Sequence, residues 1–252
     1  MYDPPGYLWA LTIAGTIGIP ALTCVVLYRG AELAGLGRGR SATLAGAAAV
    51  VLGGWLAASG AIAATGAYQS QLGKQPPWLA IATAGVLVTL LAASRIPAVG
   101  RALSAPGMTS RLMLPHTFRV AGVAFLITMA LGHMPALFAL PAGLGDMAVG
   151  FAAPGVARRL ARGAGHRAAL WFNALGITDL VVALSLGGLT GYQIIKVTPD
   201  NSAISELPLV LIPTAAVPLL LALHIIAVRQ LIRAPRGAER ATDSPLLAEQ
   251  PR

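Results

Sequence analysis

Five polar side chains lie within, or at the ends of, long apolar runs of this sequence. They are His133, Asp146, Asn173, Asp179 and His224. A charged side chain at the centre of a membrane helix costs about 2.5–3.5 kcal/mol on insertion scales, so it needs a polar partner, a water cavity or the loss of its charge. We therefore predict that these five residues line a pathway for protons or a small substrate.

The two aspartates are the strongest candidates for chemistry. All sixteen arginines are expected near the cytoplasmic face, so no cation is predicted at the depth of Asp146 or Asp179. An unpaired buried carboxyl is most stable when it is protonated or hydrogen-bonded to water or an amide. A protonated carboxyl could relay protons, and a neutral aspartate bonded to a backbone carbonyl could equally lock two helices together. The sequence leaves both roles open.

The two acids lie in similar local sequences on adjacent helices. Gly145–Gly150 reads GDMAVG, and Thr178–Ala183 reads TDLVVA. The two helices run in opposite directions, so the carboxyls could form a crossed site near the membrane midplane. Asn173 precedes Asp179 by six residues, which places it about 120° away around an ideal helix. We expect Asn173 to serve a neighbouring helix instead.

Metal and haem sites are weaker hypotheses. Met129 and His133 are four residues apart on one helix face, and Met134 follows. Thioethers and an imidazole could hold copper(I), although methionine is also ordinary filler in apolar helices. A bis-histidine haem needs two histidines at one depth: His133 and His224 fail this requirement, whereas His116 with His224 stays open. No cofactor is assigned.

The motifs of several functional classes are missing from the sequence. There is no G-x-x-x-x-G-K-[ST] phosphate loop and no H-E-x-x-H helix. The last apolar run contains no lysine that could form a retinal Schiff base. Enzymatic activity is left open and is not favoured.

The composition indicates lipid as the solvent. Of 252 residues, 56% are hydrophobic and 11% are charged, against about a quarter charged in soluble domains. Apolar runs long enough to cross a bilayer recur along the chain, so the predicted fold class is all-α, a polytopic seven-transmembrane-helix bundle. The net charge of +9 comes from short basic loops, which favours contact with anionic lipid over nucleic acid. The lone Cys24 allows no intrachain disulfide.

One transmembrane domain is predicted over residues 1–232, followed by a disordered cytoplasmic tail at 233–252. With seven spans, every arginine falls on one side of the membrane, and both lysines, Lys74 and Lys196, fall on the other. Positive residues favour the cytoplasmic side, so the amino terminus is predicted outside and the carboxyl terminus inside. The predicted spans are 7–28, 41–68, 78–94, 116–133, 140–157, 168–189 and 207–230.

The second span carries a ladder of small residues at every fourth position, which predicts a buried face for close helix packing. The proline pairs Pro135/Pro141 and Pro213/Pro218 are predicted bend points. The ladder consists of Ala45, Ala49, Gly53, Ala57 and Ala61.

The pattern Gly-x-x-Pro-x-x-Phe-Ala-x-Pro-Ala-Gly-x-Gly-Asp occupies Gly132 to Asp146. It resembles a segment of an uncharacterised family of multi-pass bacterial membrane proteins. The resemblance covers about Phe118 to Asp179 and implies no known activity.

The function predicted from these features is small-solute or proton-coupled transport in a bacterial inner membrane. Asp146 and Asp179 would be the protonatable groups, with Asn173 and His224 as polar lining. Two alternatives stay open: a redox or metal-binding protein using haem or copper near His133 and His224, and a non-catalytic membrane scaffold. The predicted partners are the lipid bilayer, protons and a small solute, and oligomerisation is left open.

Overall fold

A computed structural model describes residues 3–69 and 77–233 of the chain. Lys74 and the tail predicted to be disordered, apart from residue 233, lie outside the described residues. The described part is helical. In chain order its elements are α1 (Gly6–Leu33), α2 (Arg38–Ala64), α3 (Trp78–Ala93), α4 (Pro97–Leu103), α5 (Met108–Arg111), a 3-10 segment (Leu114–Gly122), α6 (Val123–Ala130), α7 (Ala136–Ala161), α8 (His166–Gly191), a short 3-10 turn (Ser202–Ser205), a π-turn (Ile212–Ala216) and α9 (Val217–Arg233).

The chain is a multi-pass membrane protein. Six stretches of the described residues are long and apolar enough to cross a bilayer. A seventh is obtained if α3 and α4, which meet at an 87° bend, count as one span. The fourth predicted span corresponds to the composite stretch Met108–Ala130, in which the 3-10 segment interrupts the α-helix.

Every predicted span differs from the structure at one or both ends, and the starts of the fifth and the last matter most for the site. Helix α7 begins at Ala136, directly after Pro135, and continues through Pro141. Asp146 therefore lies ten residues inside this helix, instead of six inside the predicted span. The last span becomes helical at Leu211 and forms its first turn as a π-turn containing Pro213.

The π-turn ties α2 and α3 to the start of α9. The Thr83 hydroxyl on α3 donates a hydrogen bond to the Pro213 carbonyl at 2.8 Å. On α2, the Trp55 indole N–H donates to the Thr214 carbonyl at 2.8 Å, and the Ser59 hydroxyl donates to the Thr214 hydroxyl at 2.7 Å. Proline frees backbone acceptors inside a membrane helix, and neighbouring helices must satisfy them. The bonds to the Pro213 and Thr214 carbonyls do so, and the Ser59 bond adds a contact between two side chains.

The prediction that the small-residue ladder of α2 is buried is wrong. Ala45 is half-buried and the other four members are exposed, so this face of α2 looks outward. A Cβ atom added at Gly53 would meet nothing within 4 Å. The opposite face of α2 packs inward through Trp55 and the fully buried Ser59. Even spacing of small residues favours close approach, but it does not specify which helix face has a neighbour.

Close helix packing occurs instead around the 3-10 segment, which lies between α1 and α7. A Cβ at Gly15 of α1 would lie 2.6 Å from the Ala121 side chain. A Cβ at Gly150 of α7 would lie 2.7 Å from the Val120 backbone nitrogen. Glycines on two helices thus let the 3-10 segment pass through the middle of the bundle.

Candidate functional site: a buried arginine cluster

Arg119 occupies the centre of the described bundle. It lies on the 3-10 segment and is only 3% exposed. Its Nε donates a hydrogen bond to Asp146 Oδ1 at 2.7 Å, and its Nη2 donates to Asp179 Oδ2. The prediction that no cation reaches the depth of these two acids is therefore wrong. One guanidinium bridges both carboxyls, and it joins the 3-10 segment to α7 and α8.

The cluster lies deep in the membrane. Asp146 is ten residues from the start of α7, about 15 Å along the axis at 1.5 Å per residue. Asp179 is near the midpoint of the 26-residue helix α8. A buried ion pair loses the hydration of both partners, and only good geometry with further hydrogen bonds compensates for that loss. Arg119 provides this geometry because its planar fork of donors reaches several acceptors at once.

A third acceptor, His224 of α9, completes the surroundings of the guanidinium. Arg119 Nη1 lies 3.2 Å from His224 Nε2, and His224 Nδ1 lies 2.8 Å from Asn173 Oδ1. The Asn173 Nδ2 in turn donates to the Ala169 carbonyl at 2.7 Å. The prediction that Asn173 serves a neighbouring helix is confirmed.

These contacts fix the tautomer of His224. A backbone carbonyl only accepts, so the Asn173 amide nitrogen faces Ala169 and its oxygen faces the histidine. His224 Nδ1 must then carry the hydrogen, and the lone pair of Nε2 accepts from Arg119, which only donates. His224 is thus a neutral imidazole with its proton on Nδ1. The donors in this chain of three hydrogen bonds are therefore Asn173 Nδ2, His224 Nδ1 and Arg119 Nη1.

Three glycines make room for the functional side chains. A Cβ on Gly122 would clash with Asp146, one on Gly145 would clash with Asp179, and one on Gly176 would clash with the ring of His224. None of these glycines has the left-handed backbone that would itself require glycine. Their role is close approach, because each lets one helix press a polar side chain against its neighbour's backbone.

His116 lies against the far side of His224. The two imidazole rings stack with centroids 3.8 Å apart and an interplanar angle of 26°. His116 is 1% exposed, and neither of its ring nitrogens has a hydrogen-bond partner among the described residues. Rings in direct stacking contact cannot hold an iron porphyrin between them, so this arrangement does not fit the bis-histidine haem left open by the sequence.

Two cavities border the cluster, and Asp146 contributes to both. The smaller one, about 30 Å³, is also lined by Arg119 and Thr12. The Thr12 hydroxyl is buried and has no partner among the described residues, so the space suits one water molecule. The larger cavity measures about 280 Å³, and α3 and α8 form two of its walls.

The structure brings together four of the five predicted pathway residues: Asp146, Asp179, Asn173 and His224. The fifth, His133, is exposed in the turn between α6 and α7. Among the described residues, the hydrogen bonds of Arg119 go to Asp146, Asp179 and His224, and they do not include His133.

The copper hypothesis gains no support from the positions of its residues. Met134 is fully buried in an apolar cluster, and the partly buried Met129 packs against the same cluster. Within residues 3–69 and 77–233, no group of three or more histidine, cysteine, aspartate or glutamate side chains could hold a metal ion.

Arg119 is the functional residue that sequence reasoning misses. It lies three residues inside the predicted span 116–133, yet the positive-inside pattern groups it with the cytoplasmic arginines. An arginine inside a span's own boundaries, in a protein with two unpaired intramembrane acids, is the signal that could have identified it.

Fold and site together define a polytopic helical membrane protein built around a buried arginine–dicarboxylate cluster. The chain belongs to the family described as "Domain of unknown function (DUF8737)", which matches residues 76–232. The resemblance to an uncharacterised family is thereby confirmed. The matched range contains every member of the cluster, and it begins after α2. No curated protein and no solved structure matches the chain.

Proposed function

We propose that this protein is a proton-coupled carrier of a small solute. The observation that supports the proposal is the bridging of Asp146 and Asp179 by the single guanidinium of Arg119, beside a cavity of about 280 Å³. One carboxylate would already neutralise the charge of Arg119 in a purely structural ion pair. A second carboxyl leaves one negative charge in surplus when both are ionised.

A surplus charge at mid-membrane depth is costly. The cluster reaches neutrality by holding one proton on a carboxyl or by facing one cationic group. Asp146 and Asp179 are the candidate proton-binding residues, Arg119 holds them in position, and His224 with Asn173 orients Arg119. Uptake and release of one proton would alter the charge seen from the cavity, which is the property that couples a solute to protons.

We also propose seven spans with the amino terminus outside. Of the thirteen arginines among the described residues, twelve would lie in loops or near helix ends on one side of such a bundle, and Arg119 is the exception. Lys196 follows α8 on the opposite side. With six spans, the arginines before α2 and those between α3 and α5 would lie on opposite sides, against the positive-inside rule.

Infrared difference spectroscopy of the reconstituted protein between pH 5 and pH 9 tests the proton site. We expect a protonated-carboxyl band in the parent that is lost or shifted in Asp146→Asn or Asp179→Asn. Asparagine keeps the size and hydrogen-bonding groups of a protonated aspartate but cannot release a proton. Two ionised carboxyls at pH 5 would overturn the proposal.

A further inference from the structure

The larger cavity has the chemistry of a site for a small apolar amine. Of the described residues that line it, Asp146 alone is charged, Thr83 and Ser205 carry hydroxyls, and the others are aliphatic, aromatic or glycine. Arg119 does not belong to the lining, although it is bonded to Asp146. A molecule in this cavity therefore meets Asp146 and not the guanidinium.

The cavity is long, and the one charged residue of its described lining, Asp146, lies at the level of the cluster. It follows α8 from Leu180 to Tyr192, a distance of about 18 Å at 1.5 Å per residue. Tyr192 directly follows the end of α8 and contributes aromatic surface at that end of the cavity, while its hydroxyl is buried. A ligand with one polar end and an apolar body fits this distribution.

The position of the cavity favours access from lipid. Helix α3 lines one wall and α8 lines another, and both expose large apolar side chains to the bilayer, such as Val88 and Val181. The cavity is partly open, and Phe125 and Phe138 contribute aromatic surface to its interior. These features suit a lipid-soluble molecule better than a hydrophilic one.

Charge decides between an amine and an acid. The Arg119–Asp146–Asp179 cluster carries one surplus negative charge when both carboxyls are ionised, and one ammonium group restores neutrality. We infer that the cavity between α3 and α8 binds small apolar amines, with the ammonium group at Asp146. This inference rests on the proposed carrier function and names the class of its substrate. An amine arriving at a protonated Asp146 would displace the proton, which is the exchange that a proton-coupled carrier requires.

Binding to the purified full chain in lipid nanodiscs tests the inference. The probes are phenylbutylamine, phenylbutanol and phenylbutyrate, which share one apolar body and differ in charge. We expect the amine to bind about tenfold more tightly than the alcohol, as for a charge-assisted contact, and the acid to bind more weakly than both. Equal affinities for amine and alcohol, or tighter binding of the acid, would overturn the inference.

Two variants locate the site. Asp146→Asn should remove the preference for the amine and leave binding of the alcohol unchanged. Gly188 lines the cavity, and a Cβ there would meet nothing within 4 Å. The side chain in Gly188→Leu therefore starts in open space, and it should reduce the cavity and weaken binding of all three probes. Gly85→Leu on α3 is the matched control, because Gly85 is equally open but is not part of the lining.

Unchanged binding in Gly188→Leu would overturn the inference even if Asp146→Asn failed to fold. Proton release on amine binding is measured separately with a pH-sensitive dye. Amine binding without proton release would sustain the site and reject the coupling. Proton movement coupled to a different solute, without amine binding, would support the proton-coupled carrier and reject the amine site.

Discussion

Arg119 Nη1 lies 3.2 Å from His224 Nε2, and this contact makes the histidine a fixed acceptor inside the membrane. Because Asn173 holds the other ring nitrogen, His224 cannot turn away without breaking two hydrogen bonds. The guanidinium is thereby oriented with its remaining donors toward Asp146 and Asp179. Side chains from α8 and α9 thus decide how a residue on the 3-10 segment presents its charge.

We predict that Arg119→Met destabilises the protein by about 3–5 kcal/mol, because removing one partner leaves uncompensated buried charge. The loss should be partly recovered in Arg119→Met/Asp146→Asn, where less negative charge remains. Thermal denaturation in detergent measures the single and double variants as a cycle. Purely additive effects of the two substitutions would contradict a direct ion pair.

Arg119→Lys should recover only part of the stability of the parent. Lysine keeps the charge but has a single ammonium centre, whereas the guanidinium reaches three acceptors on three helices. The melting temperature should lie between those of the parent and Arg119→Met. A lysine variant as stable as the parent would show that charge alone matters at this position.

Asn173→Leu should cost about 1–3 kcal/mol, because it leaves the buried His224 Nδ1–H without an acceptor. Nitrogen NMR of labelled histidine should show His224 in the parent with its hydrogen on Nδ1. Leu175→Ala on the same helix is the control, since Leu175 is 58% exposed and should have little effect. A hydrogen on Nε2 of His224 in the parent would refute the hydrogen bond that Nε2 is assigned to accept from Arg119.

Alanine at Gly145 or Gly176 should be poorly tolerated, and alanine at Gly53 should be neutral. The first two substitutions push a methyl group against Asp179 and His224 respectively, whereas Gly53 faces open space. Overpacking of this kind commonly costs about 1–3 kcal/mol. Melting temperatures of the three variants in one detergent provide the comparison. Destabilisation by Gly53→Ala equal to the others would mean that the outer face of α2 is covered.

Cysteine labelling tests the proposed orientation. In a background where Cys24 is replaced by alanine, a cysteine at position 196 should react with an impermeant reagent in intact cells. One at position 162 should react only after the membrane is opened. Labelling of position 162 from outside would reject the proposed seven-span topology.

The intramembrane polar residues show how far sequence reasoning reaches. Asp146, Asp179, Asn173 and His224 could be identified because polar side chains are rare in apolar runs and need partners. Arg119, the shared partner of Asp146, Asp179 and His224, escapes such reasoning because it lies near the start of its predicted span, where arginines usually mark the cytoplasmic boundary. The short 3-10 segment carries it instead into the bundle between α1 and α7.

The order of the helices and their apolar lengths were determined by the sequence alone. In lipid, each span must satisfy its own backbone hydrogen bonds, so an apolar stretch of sufficient length becomes a helix whatever its neighbours are. Which side chains meet was decided only by the tertiary structure. Arg119 is 27 residues from Asp146, 60 from Asp179 and 105 from His224, and no local pattern encodes contacts between residues so far apart in the chain. The same holds for small residues. The ladder on α2 has regular spacing but faces outward, whereas Gly122, Gly145 and Gly176 lie against side chains of neighbouring elements. Packing depends on which helix faces meet in the assembled bundle, and spacing within one helix does not determine that.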